Sequence, residues 1–218
     1  MRRDVAVLFD MDGVIFDSER AILGVWRELG QELALPEIDR IFRRCIGTNR
    51  ARTEQIFREA CPGLDFAAFD REAKARFRQR YGEGRLPQKP GARQILSTLQ
   101  AREIPLALAS STERSTVVRE LEEAGLLQFF RRVIGGDMVR RSKPDPEIFL
   151  TAAKELNVPP ENCYVIEDSF NGIRAAHAAG MHPLMVPDLV PPDREMEELA
   201  EVIFTDLSWV TSYLLERL

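Results

Sequence analysis

An open α/β fold, a doubly wound parallel sheet with an all-α insertion after its first strand, is what this sequence predicts. Three observations carry that expectation. From residue 88 onward, short apolar runs alternate with amphipathic stretches of helix length. Between residues 17 and 87, apolar residues recur three or four apart and no convincing strand is found. The stretch "GEGRLPQKPG", residues 82–91, concentrates glycine and proline where the two regimes meet. The core is therefore expected to comprise residues 1–16 and 88–218, with residues 17–87 as a helical cap.

Each element follows from its pattern. "VAVLF", residues 5–9, is a strand-type run without helical spacing, and the pattern breaks at Gly13. Ile22, Trp26, Leu29 and Leu33, then Ile38, Ile41, Phe42 and Cys45, define two amphipathic helices. Helical spacing resumes over 48–60 and 66–81, separated by "CPG". Beyond the boundary, a helix near 92–102 precedes the run "IPLALAS", and one over 113–124 precedes "RVIGG". Helices over 145–156 and 170–179 precede "CYVIED" and "HPLMV", and "EVIFTD" leads into a terminal helix. Strands separated by helices of this length imply right-handed crossovers and a parallel sheet covered on both faces.

Composition narrows the function classes. The chain of 218 residues has a net charge of −5 and no basic excess, which argues against a nucleic-acid partner. Residues 17–87 carry thirteen Arg and one Lys against twelve Asp and Glu, so the remainder is about −7. A cationic segment beside an acidic core suits an anionic ligand, and a solvated Arg-rich surface accounts for it equally well. Cys45, Cys61 and Cys163 are widely spaced and form no C-x-x-C pair, as expected of reduced thiols. No apolar stretch approaches the ~18 residues of a membrane span, and Asp4 and Asp10 interrupt the N-terminal run, so a soluble cytoplasmic protein without membrane association is expected.

In parallel sheets, ligands gather at the carboxyl ends of the strands. After the first apolar run come Asp10 and Asp12; after the second, Ser110, Ser111 and Thr112. The third leads to Ser142, Lys143 and Pro144, and the fourth to Glu167, Asp168 and Ser169. Carboxylates from two strand ends suit Mg²⁺, which prefers oxygen ligands and keeps several waters. Asp10 fits a nucleophile at phosphorus and Asp12 an acid/base two residues on. Ser110 and Lys143 would hold phosphoryl oxygens. Gly13 permits the turn by which the chain leaves the site. A calcium loop is excluded because its sixth and twelfth positions would be Ile15 and Ala21. Ser111 is expected to cap the following helix, and His177 and His182 to be structural.

Four ordered motifs, "DMDGVIFDSE", "LALASS", "SKPDPEIF" and "VIEDSFNG", resemble those of the haloacid dehalogenase superfamily across residues 5–180. The insertion is similar to the small helical cap of the subgroup containing beta-phosphoglucomutase and phosphoglycolate phosphatase. The resemblance implies a Rossmann-like core, Asp10 as nucleophile and Asp12 as acid/base. It implies Mg²⁺ held by the Asp10 carboxylate, the Asp12 carbonyl, Glu167 and Asp168. Ser110 and Lys143, with Ser111, would bind phosphate, and Arg50 in the cap a second anionic group. Asp12 favours phosphoryl transfer over carbon–halogen cleavage. The mutases carry a histidine and a lysine where this chain has Ile22 and Ile46, which favours a phosphatase acting on a small phosphorylated metabolite. A phosphosugar mutase and a non-catalytic phosphoacceptor are the alternatives; the latter need a long-lived phosphoaspartate, which Asp12 would shorten.

Overall fold

A computed structural model describes residues 5–46, 48 and 50–218. Strand β1 (Ala6–Phe9) is buried on both faces and lies at the centre of a six-stranded parallel sheet. Its companions are β2 (Leu106–Ala109), β3 (Arg132–Ile134), β4 (Cys163–Glu167), β5 (His182–Met185) and β6 (Val202–Ile203), in the order β3-β2-β1-β4-β5-β6. Val7 stands opposite Leu106 on one side and Tyr164 on the other. This order places the topological switch between β1 and β4, where the connection from β1 runs one way to β2 and that from β3 returns the other way to β4, leaving a crevice at the strand ends.

Period-two alternation decides what covers each face. Val7, Phe9, Leu106 and Leu108 face a layer built from α5 (Ala92–Ala101), α6 (Arg114–Glu123) and α10 (Leu207–Arg217). Ala6, Leu8, Ala107 and Ala109 face α7 (Glu147–Leu156) and α8 (Phe170–Ala178). The small residues on this second face let Ile148, Phe149, Ala152 and Ala153 of α7 pack closely on the strands. A short helix absent from the sequence reading, α9 (Arg194–Leu199), begins at Asp193, whose carboxylate accepts from Met196 N at 3.0 Å. The helix expected from 145 begins at Glu147, because Asp145 turns back to accept its N–H.

Between Phe16 and Gln88 the described residues form helices and no strand: α1 (Ser18–Glu32), α2 (Ile38–Cys45), α3 (Arg50–Ala60) and α4 (Phe66–Tyr81). Their spacing yields a separate apolar cluster in which Trp26 meets Phe42 and Phe69 edge-on, at 5.1 and 4.9 Å between ring centres. The chain leaves and re-enters the core side by side. Asp17 N donates to Pro87 O (2.8 Å) and Lys89 N to Ile15 O (2.9 Å), with Phe16 bridging Gln88. Asp188, in the loop after β5, ties this crossing together: its buried carboxylate meets Lys89 Nζ at 2.7 Å and Arg20 of α1 at 3.1 Å. Arg43 of α2 donates to Leu189 O nearby.

His182 stacks on Tyr164 and pairs with Glu201, and His177 donates to Leu199 O, so both histidines hold structure. The three cysteines are buried free thiols. Among the described residues, no helix is long and apolar enough to cross a membrane. Asp4, and position 49 inside the helix expected over 48–60, lie outside the described residues.

Candidate active site

β1 and β4 end side by side, and their polar followers converge. Lys143, on the loop between β3 and α7, reaches between them: its Nζ lies 2.5 Å from Asp10 Oδ1 and 2.6 Å from Glu167 Oε1, and donates to Ala109 O at 3.0 Å. Asp10, Glu167 and Asp168 are all buried, and each offers a carboxylate oxygen within 4.8 Å of the others. One ammonium thus pairs with two of three clustered carboxylates. Burial pushes the Asp10 carboxyl up to about 8 against the opposing pull of Lys143. Burial, then Glu167, drives Asp168 well above the ordinary carboxylate range. For Lys143, burial works against the charge, but Asp10 and Glu167 outweigh it and hold the ammonium above its ordinary value. Gly13 is required by space as well as by turn geometry: φ is +80°, and a Cβ there would fall 2.2 Å from Asp168 Oδ2.

Asp12 points away from this cluster. Its Oδ1 accepts from the Ser18 hydroxyl (2.6 Å) and its Oδ2 from Thr112 (3.2 Å), which fixes both oxygens at the mouth of a cleft of about 900 Å³. Ser110 is buried and accepts from Thr112 N at 3.1 Å, leaving its hydroxyl hydrogen available. Ser111 does not cap the following helix. That helix starts at Arg114, whose N–H is taken by Asp137 Oδ1 at 2.7 Å, because the tight turn after β3 brings that loop against the helix end. Ser111 itself is exposed beside Ser110. Arg50 is not drawn to the strand ends: it opens α3, is exposed and pairs with Asp70 at 2.9 Å. It is Asp70 that lines the cleft.

The family profile of haloacid dehalogenase-like hydrolases matches residues 5–180. The chain belongs to that family. A phosphorylated carbohydrates phosphatase of Thermotoga maritima is 34% identical over 183 residues, 81% of this chain and 82% of that protein. Beta-phosphoglucomutase of Bacillus subtilis is 29% identical over 85% of this chain and 88% of its own length. A haloacid dehalogenase family hydrolase of Deinococcus radiodurans R1, solved with bound phosphate and sodium, superposes with a TM-score of 0.81 at 30% identity, covering 97% of this chain and 95% of that one. Within the haloacid dehalogenase-like hydrolases, relatives named phosphatases identify this chain as an enzyme of the phosphatase kind.

A hard divalent cation fits the donor set that this family member presents. The clustered donors are carboxylate oxygens alone, and Lys143 compensates only part of their charge. Sequence reasoning missed three contributors, Ser18, Glu19 and Asp188, and named Thr112 without a role. Ser18 and Thr112 hold Asp12, while Glu19 and Asp188 crowd Asp168, their carboxylate oxygens lying within 4.8 Å of one another. Burial, followed by Asp188, pushes Glu19 up to about 8. Ser18 and Glu19 lie inside the first motif, but their place in the opening turn of a helix equally suits a capping role. Asp188 carries no local signal at all.

Proposed function

We propose that this protein is a Mg²⁺-dependent phosphatase that hydrolyses small phosphorylated metabolites, phosphorylated carbohydrates being the class nearest its relatives, through an aspartyl phosphate on Asp10. The observation that carries this reading is the placement of Asp10 against Lys143 and the Glu167–Asp168 pair, with Asp12 held separately over the cleft. Lys143 favours the ionised form of Asp10 and supplies an ammonium for a phosphoryl oxygen. An Asp10 oxygen attacks phosphorus, the bond from phosphorus to the leaving oxygen breaks, and Asp12 gives that oxygen its proton. Asp12 then takes a proton from water as the water oxygen bonds to phosphorus, releasing inorganic phosphate and restoring Asp10. The cation, held by Asp10, Glu167, Asp168 and the Asp12 carbonyl, would offset charge between the carboxylates and the phosphoryl oxygens. Ser110 would donate to a phosphoryl oxygen, with Ser111 beside it.

Ile22 and Ile46 line the cleft and neither can titrate, which supports hydrolysis over phosphosugar isomerisation. The test is phosphate release from an aryl phosphate and a panel of sugar and short-chain phosphates, with Mg²⁺ or EDTA, for wild type and Asp10→Asn. Mg²⁺-dependent release is expected, and the variant should lose at least about a thousandfold, as when an essential nucleophile is removed. Undiminished turnover by Asp10→Asn, or isomerisation of a sugar phosphate without net release, would overturn the reading.

A further inference from the structure

The cleft above Asp12 has two unlike walls. The helical insertion supplies an apolar surface of Ile22, Trp26, Phe42 and Phe77, with the charged Asp70, Lys74 and Arg78 also along that wall. Helix α6 of the core supplies Thr116, Arg119, Glu120 and Glu123, which follow one another at helical spacing along a single face. Apart from Glu123, whose carboxylate accepts from Gly84 N at 3.1 Å, this face is not used for packing, because Val117 and Leu121 of the same helix are the residues buried against the sheet. Nor does the hydrolytic chemistry use it.

Glu120 is the unusual member. Its side chain is only 19% exposed, yet its carboxylate accepts no hydrogen bond among the described residues; the nearest cation, Arg119 Nη2, stands 4.0 Å away. Burial, then the charge of Asp12, raises it to about 7. A half-buried carboxylate that faces the cleft without a protein donor is open to one from a ligand, and a hydroxyl would supply it. Arg119 alongside disfavours a cationic ligand and leaves neutral donors as the natural match. The opposite wall suits the C–H face of a ring or carbon chain, which aromatic side chains cover well.

Resting on the phosphatase reading above, we propose that Thr116 and Glu120 form a specificity subsite for a hydroxyl-rich leaving group. A polyol or sugar would set its carbon skeleton against Trp26 and Phe77 and donate a hydroxyl hydrogen to the Glu120 carboxylate. Thr116 Oγ1 would exchange a second hydrogen bond with it. Selectivity then resides partly on the core. An ester without hydroxyls would cover the Glu120 carboxylate without offering it a donor, the situation that rejects such analogues most strongly.

The test compares kcat/KM for phosphate release from hexose 6-phosphate and from cyclohexylmethyl phosphate, which has a similar carbon frame and no hydroxyl. Wild type, Glu120→Ala, Glu120→Gln and Thr116→Val are measured, with circular dichroism and melting temperature for each. Wild type should prefer the hydroxylated ester. In Glu120→Ala the ratio of the two values should fall by about tenfold or more, mainly through KM, as for a lost hydrogen bond to a charged acceptor. Glu120→Gln, which keeps an acceptor oxygen, should recover part of the ratio, and Thr116→Val should lower it less. A ratio unchanged in the Glu120 variants, or a wild-type preference for the alkyl ester, overturns the subsite and leaves the phosphatase reading intact. Absence of phosphate release from every ester overturns both.

Discussion

Glu167 shows how much one side chain can be asked to hold. Its Oε1 meets Lys143, while its Oε2 accepts from the N–H groups of Asp168 and Ser169 and from the Ser169 hydroxyl. The Ser169 hydroxyl in turn accepts from Gly172 N and caps α8, so the Glu167 carboxylate and the helix start share one network. The first turn of α8 passes so close that a Cβ at Gly172 would fall 1.9 Å from the Glu167 carboxyl carbon. Gly172→Ala is therefore expected to displace Glu167, cost about 1–3 kcal/mol as overpacking does, and raise the Mg²⁺ concentration for half-maximal phosphate release. Urea unfolding and a Mg²⁺ titration of activity measure the two effects; a normal Mg²⁺ requirement would detach Glu167 from the cation.

At the scale of elements, α6 divides its work between a packed face and a cleft face, and the second carries a thermodynamic signature. Glu120 has an ordinary carboxyl value of 4.5 raised to about 7 in the folded chain. Between those values the unfolded chain releases a proton that the folded chain keeps, so stability falls as pH rises through that window. Glu120→Gln should leave the melting temperature unchanged at pH 4 and raise it at pH 8; equal effects at both would show that the carboxyl is not penalised. The elements themselves were legible because each signal is local: β1 and β2 are short unbroken apolar runs, and α1 to α4 show helical spacing flanked by Gly and Pro. Asp10, Asp12, Glu167 and Asp168 were legible because they stand at the ends of such runs, whereas Lys143, nine residues past β3, was legible from the motif around it. Glu120, Glu19 and Asp188 were not, since an acid on a helix or loop reads as solvated until the fold closes over it. The capping role expected of Ser111 went to Asp137, more than twenty residues downstream, which no local pattern reveals.

The molecule as a whole depends on one crossing. The two linkers at Phe16 and Gln88 run together, and Asp188 clamps them through Lys89 and Arg20. Removing its carboxylate by Asp188→Leu should leave the partly buried Lys89 with only Asp17, at 3.9 Å, as counter-charge and cost up to about 3–5 kcal/mol, whereas Asp188→Leu with Lys89→Met should recover most of it. Denaturant midpoints of the two variants check this; equal midpoints would remove the clamp. The same crossing bears on how the chain finds its fold. Val7 of β1 must pair with Leu106 of β2, and parallel partners so distant in sequence are slow to meet. The helical insertion has its own aromatic centre, and once formed it delivers residues 16 and 88 side by side. By shortening the loop that β1 and β2 must close, it would lower the closure cost by about 1 kcal/mol and act as a template that sets the register of the central strands before the rest of the sheet assembles.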